Sequence, residues 1–256
     1  MRAVLALALV ACTSCLPQAT RGPYTIIGGD PRREVKVPDI GQSEWTLSRE
    51  RLLRMRGELP RRPYVERVQI GVVDPRTGKM YQARGAVAGH PDRAARLVLL
   101  GPGGTTALDV WVTRDRYRFA IPALKLEKRG GVNLEDARGL PVGFLRWWFL
   151  APLDGELVLA RSSKSEVAFI LRDGPATVTF RTDGERFIAI RRSTEGGVHL
   201  EGLEWSSRGL APVAGSRGRY IEGEHGLRVH ILVEEVLDEE PDPAAFLDPD
   251  GQGTTL

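Results

Sequence analysis

Four histidines are the side chains of this sequence best suited to metal binding or general acid–base chemistry. They are His90, His199, His225 and His230, and none has a second histidine or a cysteine at the spacing of a metal site. No Gly-x-Ser-x-Gly motif is present, and no set of Ser, His and Asp stands out. The glycine-rich segment 101–106 lacks the lysine and the following helix of a phosphate-binding loop. The sequence therefore predicts a non-catalytic protein without a metal site or a cofactor.

The two cysteines, Cys12 and Cys15, lie close together near the N-terminus and suggest a covalent modification. They follow a basic start and the apolar stretch Ala3–Ala11, which is typical of a short secretory signal and too short to span a bilayer. The Leu-Val-Ala-Cys segment that ends at Cys12 resembles the lipobox of bacterial lipoproteins. Cys15 fits that pattern less well, because Cys12 would take its aliphatic position.

The lipobox resemblance implies that the peptide is cut before Cys12 and that the sulfur carries a diacylglycerol. Several acyl chains on one residue are enough for stable anchoring. Residues 1–11 are then a signal peptide, and Thr13 in place of aspartate favours the outer membrane, facing the periplasm. Two other interpretations remain: a conventional signal cut elsewhere, or an incidental apolar start.

The composition sets limits on the partners and on the fold. The chain has 256 residues, 36 Lys and Arg against 33 Asp and Glu, and 42% hydrophobic residues. Two cysteines cannot build a disulfide scaffold. The nearly equal numbers of basic and acidic residues do not favour nucleic-acid binding. The last 23 residues carry eight acidic side chains and no basic one, which leaves a net charge of +11 on the rest. This tail is either a disordered end or a segment that folds back on a basic sheet.

The spacing of the apolar residues changes along the chain, from the period of a helix to the alternation of a strand. Residues 12–42 are rich in Pro, Gly and charge and predict a flexible tether after the lipidated cysteine, and Ser43 is the expected N-cap of a helix that ends near Gly57. From about Glu66 onward, eleven or twelve short segments alternate apolar and polar residues and are joined by turn sequences. Tight hairpins imply antiparallel neighbours, so we expect one long curved sheet.

Asp109 lies within an apolar strand and is expected on its solvent face, with a paired buried carboxylate as the alternative.

The most hydrophobic stretch after the signal is residues 141–153, PVGFLRWWFLAPL. Proline at its start and near its end predicts a helix with little polar surface. Such a helix either plugs the sheet as part of the core or covers an apolar concavity as a lid.

Three stretches, 83–122, 137–158 and 225–246, carry a family resemblance. They are similar to the opening meander, the mid-chain helix and the last strand of the lipoprotein-sorting carriers and receptors of the LolA/LolB-like superfamily. The resemblance implies a mainly β fold: an antiparallel half-barrel of about eleven strands over residues 43–247, covered by two helices, with residues 248–256 as a disordered tail. It also implies that acyl chains or lipoproteins bind in an apolar cavity, as part of lipoprotein sorting or outer-membrane biogenesis. The candidate cavity and lid residues are Leu145, Trp147, Trp148, Phe149, Trp111, Phe119, Phe169 and Phe180.

A second interpretation keeps the same fold. In it the protein is an accessory envelope lipoprotein whose half-barrel is filled by its own side chains and which acts through protein contacts. The many arginines along the strands form either a solvated face or a surface that attracts anionic headgroups or an acidic partner.

Overall fold

A computed structural model describes residues 41–91, 93–132, 137–150, 153–163, 166–194, 198–207, 209–211 and 213–249, without the side chains of 147–150. The predicted signal peptide, Cys12 and the tether up to residue 40 lie outside these ranges. The described residues form two α-helices and thirteen strands. The helices are α1 Gln42–Gly57 and α2 Val142–Leu150. The strands are β1 Tyr64–Val73, β2 Met80–His90, β3 Ala94–Leu100, β4 Thr106–Val112, β5 Arg116–Ile121, β6 Leu126–Gly131, β7 Glu156–Ser162, β8 Val167–Asp173, β9 Ala176–Thr182, β10 Arg186–Ser193, β11 His199–Ser206, β12 Arg217–Glu222 and β13 Arg228–Leu237.

All thirteen strands belong to one antiparallel sheet, in the order β6-β5-β4-β3-β2-β1-β13-β12-β11-β10-β9-β8-β7. Every neighbour but one is also the neighbour in sequence, and the exception is the pairing of β1 with β13. The sheet is curved and open, with β6 and β7 as its two edges. This confirms the predicted fold class, a mainly β antiparallel half-barrel with two helices.

Turn chemistry sets the strand boundaries, as the sequence predicts. In the β8–β9 hairpin, Asp173 pairs with Ala176 across a loop that contains Gly174 and Pro175. Gly174 has a φ of 56°, a left-handed value that tight hairpin loops require and that glycine adopts without strain.

The sequence reasoning found eleven of the strands and missed two. Strand β6 has the sequence LEKRGG and pairs only with β5, and its first four residues are exposed, so it lacks apolar alternation. Strand β12, RGRYIE, buries Tyr220 and Glu222 on one side, a polar pair that does not resemble a core-facing pattern. Both strands form because a neighbouring strand offers hydrogen-bonding partners.

The two helices lie at different places on the sheet. Helix α1 packs against the edge strand β7; it begins at Gln42 after Gly41, so Ser43 is not its N-cap. Helix α2 packs on β2, β3 and β4, and its Phe144 ring also lies 5.8 Å from the ring of Tyr220 in β12. We call the side of the sheet that α2 covers the inner face. None of the helices in the described part of the chain combines the length and the apolarity that crossing a bilayer requires.

The opposite side, the outer face, is partly covered by the C-terminal segment. A short 3₁₀ helix, Pro243–Phe246, lies over β2 and β3, where Phe246 packs edge-on against His90. Beyond it, Asp248 forms an ion pair of 3.2 Å with Arg129. The start of the acidic tail therefore folds back on a basic part of the sheet; the residues after Pro249 lie outside the described ranges.

Candidate functional site

The inner face is an apolar surface built by strict alternation along the strands. In β8 the residues Val167, Phe169 and Leu171 point inward and are fully buried, whereas the intervening residues are not. The same alternation continues in the neighbouring strands and in Phe144 and Leu145 of α2, which complete one core.

The structure brings together four of the candidate cavity residues. Leu145, Phe119, Phe169 and Phe180 all belong to the one hydrophobic core that covers the inner face. The rings of Phe169 and Phe180 are stacked across the β8–β9 pair with their centroids 6.4 Å apart. Trp147, Trp148 and Phe149 lie in α2, but their side chains are outside the described part of the chain.

Trp111 lies on the outer face and does not line the core under α2. Because Val110 points inward, the next residue in β4 must point outward. Its Nε1 donates a hydrogen bond of 3.3 Å to the carbonyl of Phe246, and the C-terminal segment buries the indole. The sequence predicts Trp111 as a cavity residue, but strand periodicity alone does not reveal which face of the sheet is concave or that a distant segment covers the other one.

The inner face becomes polar where β10, β11 and β12 lie side by side. We call the inward-facing side chains at this end the polar cluster: Arg191, Ser193, His199, Glu201, Tyr220 and Glu222. All six are buried. Together with Gly143 and Arg146 of α2, these side chains line a cavity of about 30 Å³, which has room for about two water molecules.

Glu201 is the centre of the polar cluster. Its Oε1 accepts a hydrogen bond of 2.7 Å from the Tyr220 hydroxyl, and its Oε2 accepts one of 3.2 Å from Arg191. Burial, and after it the charge of Glu201, raises the pKa of Tyr220 well above the usual value, so the phenol stays a neutral donor. Arg191 also lies 3.5 Å from the carboxylate of Asp173. The buried carboxylate of Glu201 thus has the hydrogen-bond partners that a buried charge requires.

Helix α2 directs its one charged side chain toward this cluster. Arg146 is largely buried among Arg191, Glu201 and Asp173. Burial is the main cause that lowers the pKa of Arg146, and the charge of Arg191 adds to it, whereas Glu201 and Asp173 act in the opposite direction. Helix α2 therefore makes apolar contacts with β2–β4 and, through Arg146, electrostatic interactions with residues of β10–β12.

Glu66 is a second buried acid, located in the apolar part of the inner face. It follows the inward alternation of β1 and pairs in register with Val87 of β2 and Val236 of β13. Neither of its carboxylate oxygens has a hydrogen-bond partner in the described structure. Burial raises its pKa to about 8, so at neutral pH the group is an uncharged carboxylic acid inside the core.

The sequence reasoning missed the polar cluster, although a signal was present. His199 and Glu201 are two residues apart and fall on the face of β11 that also carries Leu203 and Trp205. Polar residues in phase with the apolar ones, rather than out of phase, indicate buried polar groups. The partners from β10 and β12 lie elsewhere in the sequence, so only the strand pairing reveals the cluster.

An open, curved antiparallel sheet with a helix on its inner face is the LolA-like fold, as the sequence resemblance predicts. A LolA superfamily protein from Nitrosomonas europaea has a similar structure, with a TM-score of 0.53 and 11% sequence identity over 78% of this chain and 98% of that one. At this identity the likeness concerns the fold alone.

Two further solved structures resemble the chain less well. A DUF1329 family protein from Desulfovibrio piger gives a TM-score of 0.49 at 13% identity and covers 80% of this chain and 98% of its own. A domain from Vibrio parahaemolyticus named for outer membrane lipoprotein sorting gives 0.47 at 10% identity and covers 78% of this chain and 94% of its own. No family model matches the sequence, and neither does any curated protein.

Proposed function

We propose that this protein is a non-catalytic envelope lipoprotein that binds the acyl chains of lipids or lipidated proteins against its inner face, with α2 as a movable cover. The observation that carries the proposal is topological. Strands β6 and β7 are the two edges of the open sheet, and the connection between them carries α2. Helix α2 packs on β2–β4 and takes no part in the strand pairing, so it can move while the sheet keeps its pairing.

The energetics allow an acyl chain to replace α2. Burial of about twelve methylene groups at about 0.8 kcal/mol each yields roughly 10 kcal/mol. A fully buried Leu or Phe contributes about 1.5–3 kcal/mol, so one chain offsets the contacts of about four such side chains. Val142, Phe144 and Leu145 are the described α2 residues whose inner-face contacts a ligand would take over.

The polar cluster and α1 would hold the cover closed in the absence of ligand. Arg146 reaches the polar cluster from one side of α2. After α2, the carbonyl of Leu153 accepts two hydrogen bonds from Arg56 of α1. A cover fixed by a few polar contacts at its ends can be released without disrupting the apolar sheet beneath it.

Cys12 would place this domain at the membrane surface where lipidated clients are found. We propose that residues 1–11 are removed, that Cys12 is lipidated and that residues 12–42 act as the tether, with the domain facing the periplasm at the outer membrane. Mass spectrometry of the N-terminal peptide from membrane-purified protein tests this part: an unmodified Cys12 contradicts it.

Acyl-chain binding is tested with a fluorescent fatty-acid analogue and a synthetic triacylated peptide. The protein is the full chain with Cys12→Ser and Cys15→Ser, so that the N-terminus carries no lipid of its own. Leu145→Ala weakens the closed state by about 2–5 kcal/mol, and we expect at least tenfold tighter binding of both probes. Leu200→Ala, at an exposed outer-face position, is the matched control and leaves the affinity unchanged.

A second candidate function rests on the filled core. Phe144, Leu145, Phe169 and Leu171 are all fully buried, as expected if the half-barrel is stabilised by its own side chains. In that case the protein is an accessory lipoprotein that acts through protein contacts. Absence of binding of either probe by both the parent protein and Leu145→Ala would favour this function over acyl-chain carriage.

A further inference from the structure

One histidine and two glutamates lie close together at the solvent-exposed end of the polar cluster, and two of them, His199 and Glu222, are members of that cluster. His199 begins β11, Glu222 ends β12, and Glu224 belongs to the turn that leads to β13. One potential ligand atom from each residue lies within 4.8 Å of the other two. The antiparallel pairing of β11 with β12, in which Glu201 is opposite Glu222, brings together residues that are more than twenty positions apart in sequence.

The imidazole of His199 has a free nitrogen directed at the carboxylates. The residue is 9% exposed, and its Nδ1 is buried without a hydrogen-bond partner in the described structure. This atom lies 3.3 Å from Oε1 of Glu222 and 3.7 Å from Oε2 of Glu224. A buried polar atom without a partner is costly, and a ligand that accepts its lone pair would remove that cost.

These separations suit a transition-metal ion. Two ligands that each lie about 2.0–2.1 Å from a tetrahedral zinc ion are roughly 3.3 Å apart. Imidazole with carboxylate oxygen is a ligand set used for zinc and for neighbouring divalent ions, and two glutamates balance the charge of such an ion. We propose that His199, Glu222 and Glu224 bind a divalent transition-metal ion of the zinc type.

The surroundings provide outer contacts that orient the ligands. The Nε2 of His199 faces Oε1 of Glu201 at 4.0 Å, so a proton on Nε2 leaves the Nδ1 lone pair for the metal. The carboxylate of Glu222 accepts hydrogen bonds from the backbone N–H of Glu224 at 2.8 Å and of His225 at 2.7 Å. Each carboxylate oxygen retains a second lone pair for the metal.

Nearby cations do not prevent binding. Arg138 donates a hydrogen bond of 3.0 Å to Oε2 of Glu224, which a metal-bound carboxylate can also accept. Arg191 is paired with Glu201 and Asp173 rather than with the proposed ligands. The Nδ1 of His225 lies 3.3 Å from Oε2 of Glu222, the oxygen that also accepts the hydrogen bond from the His225 backbone N–H, which leaves Oε1 on the side of His199.

The proposal is tested by isothermal titration of the untagged full chain with zinc chloride after removal of metals with a chelator. Cys12 and Cys15 are replaced by serine, because their two thiolates would bind zinc themselves. We expect one zinc ion per chain, and visible absorption bands of a four-coordinate ion when cobalt replaces zinc. Magnesium, which prefers six oxygen ligands, should not compete.

Variants assign the site. His199→Gln and Glu224→Gln should each weaken zinc binding at least tenfold, and the double variant should abolish it. His230→Gln and Glu239→Gln are the matched controls at exposed positions and should bind as the parent does. Glu224 is 42% exposed at its side chain, so its replacement leaves the core intact, and metal-free melting curves verify this for every variant.

Two results overturn the proposal. If the parent protein does not bind zinc at micromolar concentrations, the cluster is only a set of histidine–glutamate ion pairs. If zinc binds but His199→Gln and Glu224→Gln retain the parent affinity, the ion occupies another place. Either result leaves the acyl-chain proposal unaffected, because that proposal rests on the hydrophobic core, to which none of the proposed ligands belongs.

Discussion

Arg56 of α1 holds the backbone carbonyl of Leu153, which lies in the connection from α2 to β7. Its Nε and Nη2 donate hydrogen bonds of 3.0 and 2.8 Å to this oxygen, and Nη2 donates another of 2.5 Å to the carbonyl of Gly155. A planar guanidinium can bind two carbonyls in this way, whereas the ammonium of lysine cannot. This contact joins α1 to the segment that follows α2, the proposed cover.

Replacing Arg56 should therefore loosen the connection and destabilise the domain. We expect Arg56→Ala to lower the free energy of unfolding by about 2 kcal/mol, since hydrogen bonds from a charged donor contribute roughly 1.5–3 kcal/mol. Urea unfolding measures the loss, and hydrogen exchange should rise in residues 140–155. Arg54→Ala, two residues earlier in α1 and exposed, serves as the control. Equal effects at positions 54 and 56 would contradict this role of Arg56.

Gly143 allows α2 to approach the polar cluster. A Cβ at this position would clash with the carboxylate of Glu201 and would lie 2.7 Å from the Tyr220 hydroxyl. Alanine normally stabilises a helix relative to glycine by about 1 kcal/mol, but overpacking costs about 1–3 kcal/mol. We expect Gly143→Ala to lower the melting temperature, because the clash outweighs the helix propensity.

The control for this substitution is Gly57→Ala in α1. There the nearest atom to an added Cβ is Nη2 of Arg61 at 3.9 Å, so alanine meets no obstacle. We expect Gly57→Ala to be neutral or stabilising. A melting temperature that rises in both variants would show that α2 does not press against Glu201 and Tyr220.

Asp109 forms the centre of an ion-pair network on the outer face. It accepts hydrogen bonds of 2.9 Å at both oxygens from Arg96 and one of 3.1 Å from Arg118. Removing one partner of a buried pair leaves uncompensated charge, so Asp109→Asn should cost about 3 kcal/mol. Glu127→Gln, at a more exposed position of the same network, should cost less than about 1 kcal/mol. Chemical unfolding of the two variants distinguishes them, and similar losses would contradict the special position of Asp109.

The sequence predicts a long antiparallel sheet because hairpins depend on local signals, whereas the pairing of β1 with β13 does not follow from them. Alternating residues and turn sequences identify eleven strands, and short connections require antiparallel neighbours. The buried state of Asp109 is not predictable in this way, since it depends on Arg96 and Arg118 from the two adjacent strands. The outward position of Trp111 follows from alternation, but its burial follows from the C-terminal segment, which is more than a hundred residues away. The proximity of His199 and Glu222 is likewise not predictable from local signals, because it depends on the register of β11 against β12.

Glu66 should make the stability of the domain depend on pH. Its pKa is about 8 in the folded protein and about 4.5 in the unfolded chain. Between these values unfolding releases a proton, so the contribution of Glu66 is fully present below about pH 4.5 and is lost as the pH rises to about 8. At about 1.4 kcal/mol per pKa unit, this loss amounts to several kcal/mol.

Glu66→Gln should remove that dependence, because the amide does not ionise. Urea unfolding of both proteins at pH 5, 6, 7 and 8 checks this, and the difference between them isolates Glu66 from groups common to both. We expect the variant to gain stability relative to the parent as the pH rises, with the largest difference near pH 8. Glu239→Gln, an exposed acid, should follow the parent curve. Parallel curves for the parent and Glu66→Gln would mean that Glu66 is solvated in the folded state and is not a neutral acid in the core.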